Sequence, residues 1–369
     1  MPKTHESTLE LDLNALGHNF RYIKSRLKPE TAIMGVVKAD AYGSEAIEIA
    51  RELENLGAEY LAVAYTKEGV ALRDHGIQLP IMVLHPLPYH FKTLIDRCLE
   101  PSLYSLETLR LFDQQARDLN QKAYPVHLKL NTGLNRLGLA EKEIDTALEI
   151  LNQTDSLSIK SILSHLAATE DEAEREFTLT QINTFKKLAD RIDNALSQSP
   201  KRHILNTSGV LNYPEAHFDM VRCGIGLYGF GNDPQFDQNF RPVATLKTVI
   251  TQIHKVESGH SVGYNRGYVA DRTIRSATLP IGHADGIFRA FGQGKGWVKI
   301  NGKKAPFLGN VCMDMIMVDV TDVDCKAGDE VVVFGDDPSL VDLAKAINTI
   351  PYELLTAISS RVVRKLVRN

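Results

Sequence analysis

The chain has 369 residues, enough for two domains or for one barrel with an appendage. It is 43% apolar and 24% charged with no low-complexity tract, an ordinary globular composition. A formal net charge of -4 argues against a dedicated nucleic-acid binder, which normally shows a basic face. The amino-terminal Met-Pro-Lys-Thr-His-Glu-Ser has no apolar core for a signal peptide. No run reaches the ~18 consecutive apolar residues of a membrane span, so a cytoplasmic protein with no membrane partner is expected.

In chain order, residues 8–13 alternate like a strand and are expected to pair with a distal domain. Residues 33–37 read as a buried strand that ends directly on Lys38. A lysine there is poorly solvated; burial lowers its pKa and leaves an amine able to form a Schiff base, although a simple strand cap reads equally well from this segment alone. Further strands are expected at 59–65, 80–85, 100–104, 124–130, 158–164, 203–206 and 219–222, with helices between them at 45–56, 106–119, 141–151 and 174–197. Such alternation means parallel strands joined by crossover helices. Eight strands point to a closed (β/α)8 barrel rather than an open doubly wound sheet. No GxGxxG follows the first strand and no GxxxxGK[ST] occurs, which removes the usual dinucleotide and P-loop readings.

After about Pro234 the texture changes. Segments 244–256, 273–281, 296–300, 316–320 and 330–334 are short, β-branched and divided by Gly, Asp and Asn, the pattern of an antiparallel β-domain. A helix at 340–347 precedes a basic tail, read as a solvated helix or strand face. The expected division is a barrel over 10–235 and a β-domain over 236–369 joined by residues 1–9. The twelve histidines lack metal-type spacing, and Cys98, Cys223, Cys312 and Cys325 form no CxxC pair, so neither a metal site nor a disulfide framework is expected.

In a (β/α)8 barrel the working face lies at the carboxyl ends of the strands. Lys38, Asn131, Arg136, His165, Thr207, Ser208 and Arg222 all fall there. The loops after strands seven and eight, Asn206-Thr207-Ser208-Gly209 and Cys223-Gly224-Ile225-Gly226, offer hydroxyls and backbone N–H groups suited to a phosphate dianion. Singly these are an N-cap and a tight turn. Together with Lys38 they describe a site for a phosphorylated aldehyde, of which pyridoxal phosphate is the obvious candidate.

At these residues the chain resembles the bacterial alanine racemases, fold-type III pyridoxal-phosphate enzymes with a barrel and a β-domain. The resemblance spans the chain and rests on Val37-Lys38-Ala39-Asp40-Ala41-Tyr42-Gly43, Lys129-Leu130-Asn131-Thr132-Gly133-Leu134-Asn135-Arg136, Ser164-His165-Leu166-Ala167 and Met220-Val221-Arg222-Cys223-Gly224-Ile225. It continues in Val262-Gly263-Tyr264, Gly282-His283-Ala284-Asp285-Gly286 and Gly309-Asn310-Val311-Cys312-Met313-Asp314.

The resemblance implies interconversion of L- and D-alanine, supplying D-alanine for peptidoglycan. It implies that Lys38 carries the cofactor and is the base on one face of the Cα. A second acid/base is needed opposite, because one base returning its own proton restores the starting enantiomer. Tyr264 matches that role, reaching in from the partner subunit of a head-to-tail homodimer with shared active sites. A free phenol, with a pKa near ~10, must be lowered to act near neutrality. Arg222 matches the residue that hydrogen-bonds the pyridine nitrogen, with His165 in the same network. Tyr42 and Tyr352 are implied at the phosphate, with Thr207 or Ser208 and the N–H groups of Gly224 and Ile225. Arg136 and the Met313 N–H are implied at the substrate carboxylate. Lys129 matches a lysine carbamylated in part of the family, and the modification stays open.

The match departs at Ser44-Glu45 for the common His-Gly, Asn131 for aspartate and Thr207 for serine, all of which keep hydrogen-bonding capacity. His283 for tyrosine and Asn310 for arginine bear more on the entry channel, while Arg289 keeps its place. Serine or a broader amino-acid range therefore stays open beside alanine. A fold-type III decarboxylase is disfavoured by Arg222 and Tyr264, and a pyridoxal-phosphate carrier by the β-domain.

Overall fold

Eight short strands between Ala32 and Cys223 form one parallel sheet that curves back on itself. They are β1 (Ala32–Val36), β2 (Tyr60–Val63), β3 (Ile81–Val83), β4 (Glu100–Leu103), β5 (Tyr124–Lys129), β6 (Leu157–Leu163), β7 (Lys201–His203) and β8 (Met220–Cys223). From β1 to β7 each strand pairs with the next in sequence, and β8 pairs with β1 in register Ile33 to Val221. The seam between β7 and β8 is closed by Asp219 N–H to the Arg202 carbonyl and Arg222 N–H to the Leu205 carbonyl, both 3.1 Å. The computed structural model describes residues 6–196 and 199–368. The reading of the first five residues and the expected helix end at Ser197 lie outside the described residues.

β1, β3 and β4 are buried along their whole lengths. That continuity, rather than alternation, is what a parallel sheet covered on both faces requires. The helices between the strands bury one stripe each. Ala46–Leu56 turns Ile49, Ala50 and Leu53 inward. Leu106–Asp118 starts at Ser105, whose Oγ accepts the Thr108 N–H, and buries Leu109, Phe112 and Ala116. This unit comprises Gly17–Ala41 with Ala46–Phe240.

The second unit joins the amino-terminal residues to Leu16, Tyr42–Glu45 and the chain from Arg241 onward. Its sheet has nine strands in the order Gln252–Val256, Ile274–Leu279, Ile316–Asp319, Lys303–Leu308, Trp297–Ile300, Glu330–Phe334, Ala244–Val249, Ser7–Asp12 and Val363–Val367. All neighbours are antiparallel except the last pair. Ser7–Asp12 alternates buried and half-buried, with Leu9 and Leu11 in the core. Each such leucine is worth roughly 2 kcal/mol of apolar burial.

The expected single segment 244–256 is two strands. Its break is fixed by Ile250 N–H to the Asp329 carbonyl and Thr251 N–H to the Thr278 carbonyl, which send the two halves to different neighbours. The basic tail forms the sheet edge, where Lys365 meets Glu10 at 3.0 Å, and an edge of charged side chains resists pairing with other chains. Elements not expected include the strand Lys303–Leu308, disguised by two lysines and Pro306, the short strand pair Ser261–Val262 with Tyr268–Val269, and the six-residue helix Pro351–Thr356.

Gly43 also belongs to this unit. Its φ is +78°, and a Cβ there would lie 2.5 Å from the Leu355 carbonyl oxygen. Gly43→Ala is expected to lower stability by about 2–4 kcal/mol, because backbone strain and a clash with backbone add. A urea midpoint falling at unchanged m-value is the readout; no shift would mean that the turn adapts.

Candidate active site

The backbone beside Lys38 has an uncommon conformation. Ala39, Asp40, Ala41 and Tyr42 have φ between 51° and 57°, and Gly43 follows at 78°. Five successive left-handed residues make a left-handed helical turn, which costs roughly 1–2 kcal/mol for each residue with a side chain. Glu68 helps to hold it: one carboxylate oxygen accepts the Ala39 N–H at 2.7 Å, and the other accepts those of Ala64 and Tyr65 at 2.7 and 3.0 Å. Asp40 accepts the Ala46 N–H at 2.8 Å where the chain leaves the turn. Strain held in this way fixes the backbone that carries Lys38.

Lys38 is half-buried at the end of β1. Burial lowers its pKa, Arg136 and Arg222 lower it further, and Glu68 opposes them. Lys129, at the end of β5, is buried, and its pKa falls to about 8 through desolvation and then Arg222, Arg136 and Lys38. Lys129 therefore lies among cations. His165, after β6, is held well below the ordinary imidazole range by burial and then by Arg222, Arg136, Lys129 and Lys38, and is neutral. Five of the expected residues and positions thus share one electrostatic neighbourhood. In a chain of net negative charge this is a concentrated positive field, suited to anionic ligands.

Arg222 is buried, with most of its donors committed. Nη1 donates to His203 Nδ1 at 2.8 Å and to the His203 carbonyl at 3.2 Å. Nη2 donates to the carbonyls of Ser164 and Ile204 at 2.7 and 3.0 Å and lies 3.1 Å from His165 Nδ1. Among the described residues no acceptor is recorded for Nε–H, the donor left for a ligand.

Arg136 is exposed on a compact loop. Asn131 closes the neck of that loop, its side-chain oxygen accepting the Gly133 and Asn135 N–H groups at 3.2 and 3.1 Å. The Asn131 N–H and Leu139 carbonyl meet at 2.9 Å, and Leu139 N–H returns to the Lys129 carbonyl at 2.8 Å. An asparagine performs this local task as an aspartate does. Thr207 and Ser208 are buried on the short helix Thr207–Asn212. The Thr207 hydroxyl accepts the Gly226 N–H at 3.2 Å, and Ser208 accepts from Asn232 at 3.2 Å, so each hydroxyl keeps its hydrogen to donate. Gly224 and Ile225 are buried in the loop after β8. A Cβ on Gly226 would stand 2.5 Å from the Thr207 side chain, which is why that loop packs closely only with glycine.

In the second unit, Tyr42 is buried with its ring centroid 6.0 Å from that of Tyr352. Tyr264 is 72% exposed and Met313 58% exposed, and both line one open depression with Met315 and Met317. Asn310 Nδ2 donates to the Tyr264 carbonyl at 2.9 Å, so the residue found in place of arginine fixes the turn that presents Tyr264. His283 N–H and Ala284 N–H bond the Cys312 and Met313 carbonyls at 2.9 Å. These tie the 282–285 turn to the segment that carries Met313. No group of three or more His, Cys, Asp or Glu among the described residues is arranged to hold a metal, and no helix is long and apolar enough to cross a membrane.

Comparison with known proteins bears on both units. Residues 11–232 match the family model for the alanine racemase N-terminal domain, and residues 243–366 that for the C-terminal domain. The chain is 36% identical to an alanine racemase of Halothermothrix orenii over 370 residues, 98% of this chain and 97% of the relative. The solved alanine racemase of Clostridium difficile superposes with a TM-score of 0.92 at 35% identity, covering 99% of this chain and 97% of that one. That of Bartonella henselae, solved with covalently bound pyridoxal phosphate, does so with a TM-score of 0.90 at 30% identity, covering 99% and 100%. With both family models placed in order on a barrel and a mainly antiparallel domain, the chain belongs to the alanine racemase family, isomerases that interconvert the enantiomers of alanine.

Proposed function

We propose that Lys38 and Tyr264 are the two acid/base groups of alanine racemisation here, with pyridoxal phosphate bound at the carboxyl end of the barrel. The observation that carries this reading is Lys38 itself: an amine on a fixed turn whose pKa is lowered by burial and by the charges of Arg136 and Arg222. The residues fit the cofactor. Arg222 keeps Nε–H for a ring nitrogen, and the Thr207 and Ser208 hydroxyls keep hydrogens for phosphate oxygens beside the Gly224 and Ile225 N–H groups. Tyr42 and Tyr352 are the aromatic contribution to the phosphate end.

Pyridoxal phosphate, when bound, makes the Cα hydrogen of an amino acid acidic by delocalising the charge left behind. Lys38 Nζ takes or returns the proton on one face, and the Tyr264 hydroxyl of the partner subunit does so on the other. Arg222 cannot release its proton, so it donates to the ring nitrogen without protonating it. By holding the ring nitrogen without protonating it, Arg222 would limit the charge drawn into a bound ring and so disfavour loss of substrate by transamination. Arg136 and the Met313 N–H orient the carboxylate. Solvent exposure of Tyr264 and Met313 in one chain supports a homodimer with shared sites. The product serves peptidoglycan synthesis, in the cytoplasm.

The test is to load purified protein with pyridoxal phosphate and assay a panel of L-amino acids for D-product. D-alanine should lead the panel. Its absence would sink the assignment, and serine turning over faster would move the substrate.

A further inference from the structure

Five buried polar side chains on five consecutive strands, Glu100 on β4, His127 on β5, Ser161 on β6, His203 on β7 and Arg222 on β8, form one unbroken line of hydrogen bonds. Arg222 Nη1 lies 2.8 Å from His203 Nδ1, and His203 Nε2 lies 2.7 Å from Ser161 Oγ. Ser161 Oγ lies 2.7 Å from His127 Nδ1, and His127 Nε2 lies 2.9 Å from Glu100 Oε2. The direction of every bond follows from the arginine. A guanidinium has donors only, so His203 Nδ1 must accept and its proton sits on Nε2. Ser161 then accepts from His203 and donates to His127 Nδ1, and His127 donates Nε2–H to the carboxylate. If His127 instead carried both protons, Ser161 would receive two N–H groups. Its own hydrogen would then need an acceptor, and none beyond the imidazoles is recorded among the described residues. His203 is neutral, held well below the ordinary range by burial and then by Arg222. Tyr60 stands at the far end, its ring centroid 5.9 Å from that of His127.

We infer that this directed relay, ending on the Glu100 carboxylate, locks His203 as the acceptor for Arg222 and so holds Nε–H toward the ligand, making Glu100 and Ser161 positioning residues of the site. The second half rests on the reading that Arg222 faces the cofactor. The physical need is plain: a buried guanidinium requires compensation, and Glu100 supplies it through three neutral groups. Were the His203 proton to move to Nδ1, two N–H groups would face each other at hydrogen-bond distance and Arg222 would turn away.

The experiment is nitrogen NMR on the cofactor-loaded protein labelled at histidine. His203 and His127 should each show a protonated Nε2 and a bare Nδ1, with the His203 signals unchanged across the pH range where a free imidazole titrates. A doubly protonated His127, or His203 protonated on Nδ1, overturns the relay, and neither result depends on a variant folding. Ser161→Ala should move the His203 signals and lower kcat about tenfold with KM for alanine within about twofold, the size usual for partners one step behind a site. Ser161→Thr should restore both, and unmoved His203 signals in Ser161→Ala would overturn the inference. If the relay signals are as described but cofactor addition leaves His203 and His165 unmoved, the relay stands and the placement of the cofactor against Arg222 fails.

Discussion

Lys38→Ala is expected to lower racemisation by about 10⁴-fold or more, since on the proposed assignment it removes both the covalent attachment and one of the two proton carriers. The site contains a second lysine that makes this a discriminating test. Lys129 is buried, its pKa falls to about 8, and it stands among the same cations as Lys38. Both amines have lowered pKa values, which favours the neutral form that condenses with an aldehyde. Only Lys38 ends a strand on a strained turn that fixes its backbone. Borohydride reduction of the loaded wild-type protein followed by peptide mapping should therefore find the cofactor on Lys38. The label should be absent in Lys38→Ala, and label on Lys129 in the wild type would reverse the assignment.

The second large effect concerns Tyr264. Tyr264→Phe is expected to slow inversion by about 10²–10⁴-fold, the usual contribution of a positioned acid/base. It should spare exchange of the Cα hydrogen with solvent for one enantiomer, because Lys38 still serves its own face. Equal loss of exchange from both enantiomers would count against two bases on opposite faces. The same residue tests the shared site. If Lys38 and Tyr264 at each site come from different chains, Lys38→Ala and Tyr264→Phe subunits mixed and reassociated should form hybrids with one intact site. Full statistical mixing then restores roughly a quarter of wild-type sites. Hybrids detected by native mass spectrometry but without recovered activity would show that each site is built from a single chain.

Much of this was legible from local pattern. Strand–helix alternation gave the barrel because a strand buried on both faces is a continuous apolar run, as in β1 and β3, and its crossover helix shows a helical stripe. The strand break at Ile250 and Thr251 was not legible, since backbone bonds to Asp329 and Thr278, distant in sequence, decide it. Lys303–Leu308 was hidden for a similar reason: strand pairing tolerates lysines and a proline that propensity counts against.

At the site, the sequence by itself supplied the candidate residues: a lysine at a strand end, an arginine at the end of the last barrel strand, hydroxyls and glycines in the last two loops. Those follow from side-chain chemistry and position along the chain. Tertiary structure alone decided how they are held. The left-handed turn after Lys38 contains two alanines, an aspartate and a tyrosine with no intrinsic preference for it, and Glu68 from the next strand–helix unit helps to impose it. Glu100, His127, Ser161 and His203 are ordinary polar residues in sequence. They become a relay only because barrel pairing sets His127 opposite Ser161 and aligns their neighbours on one face. Hydrogen-bond direction and burial depend on which strands meet, and no single segment encodes that.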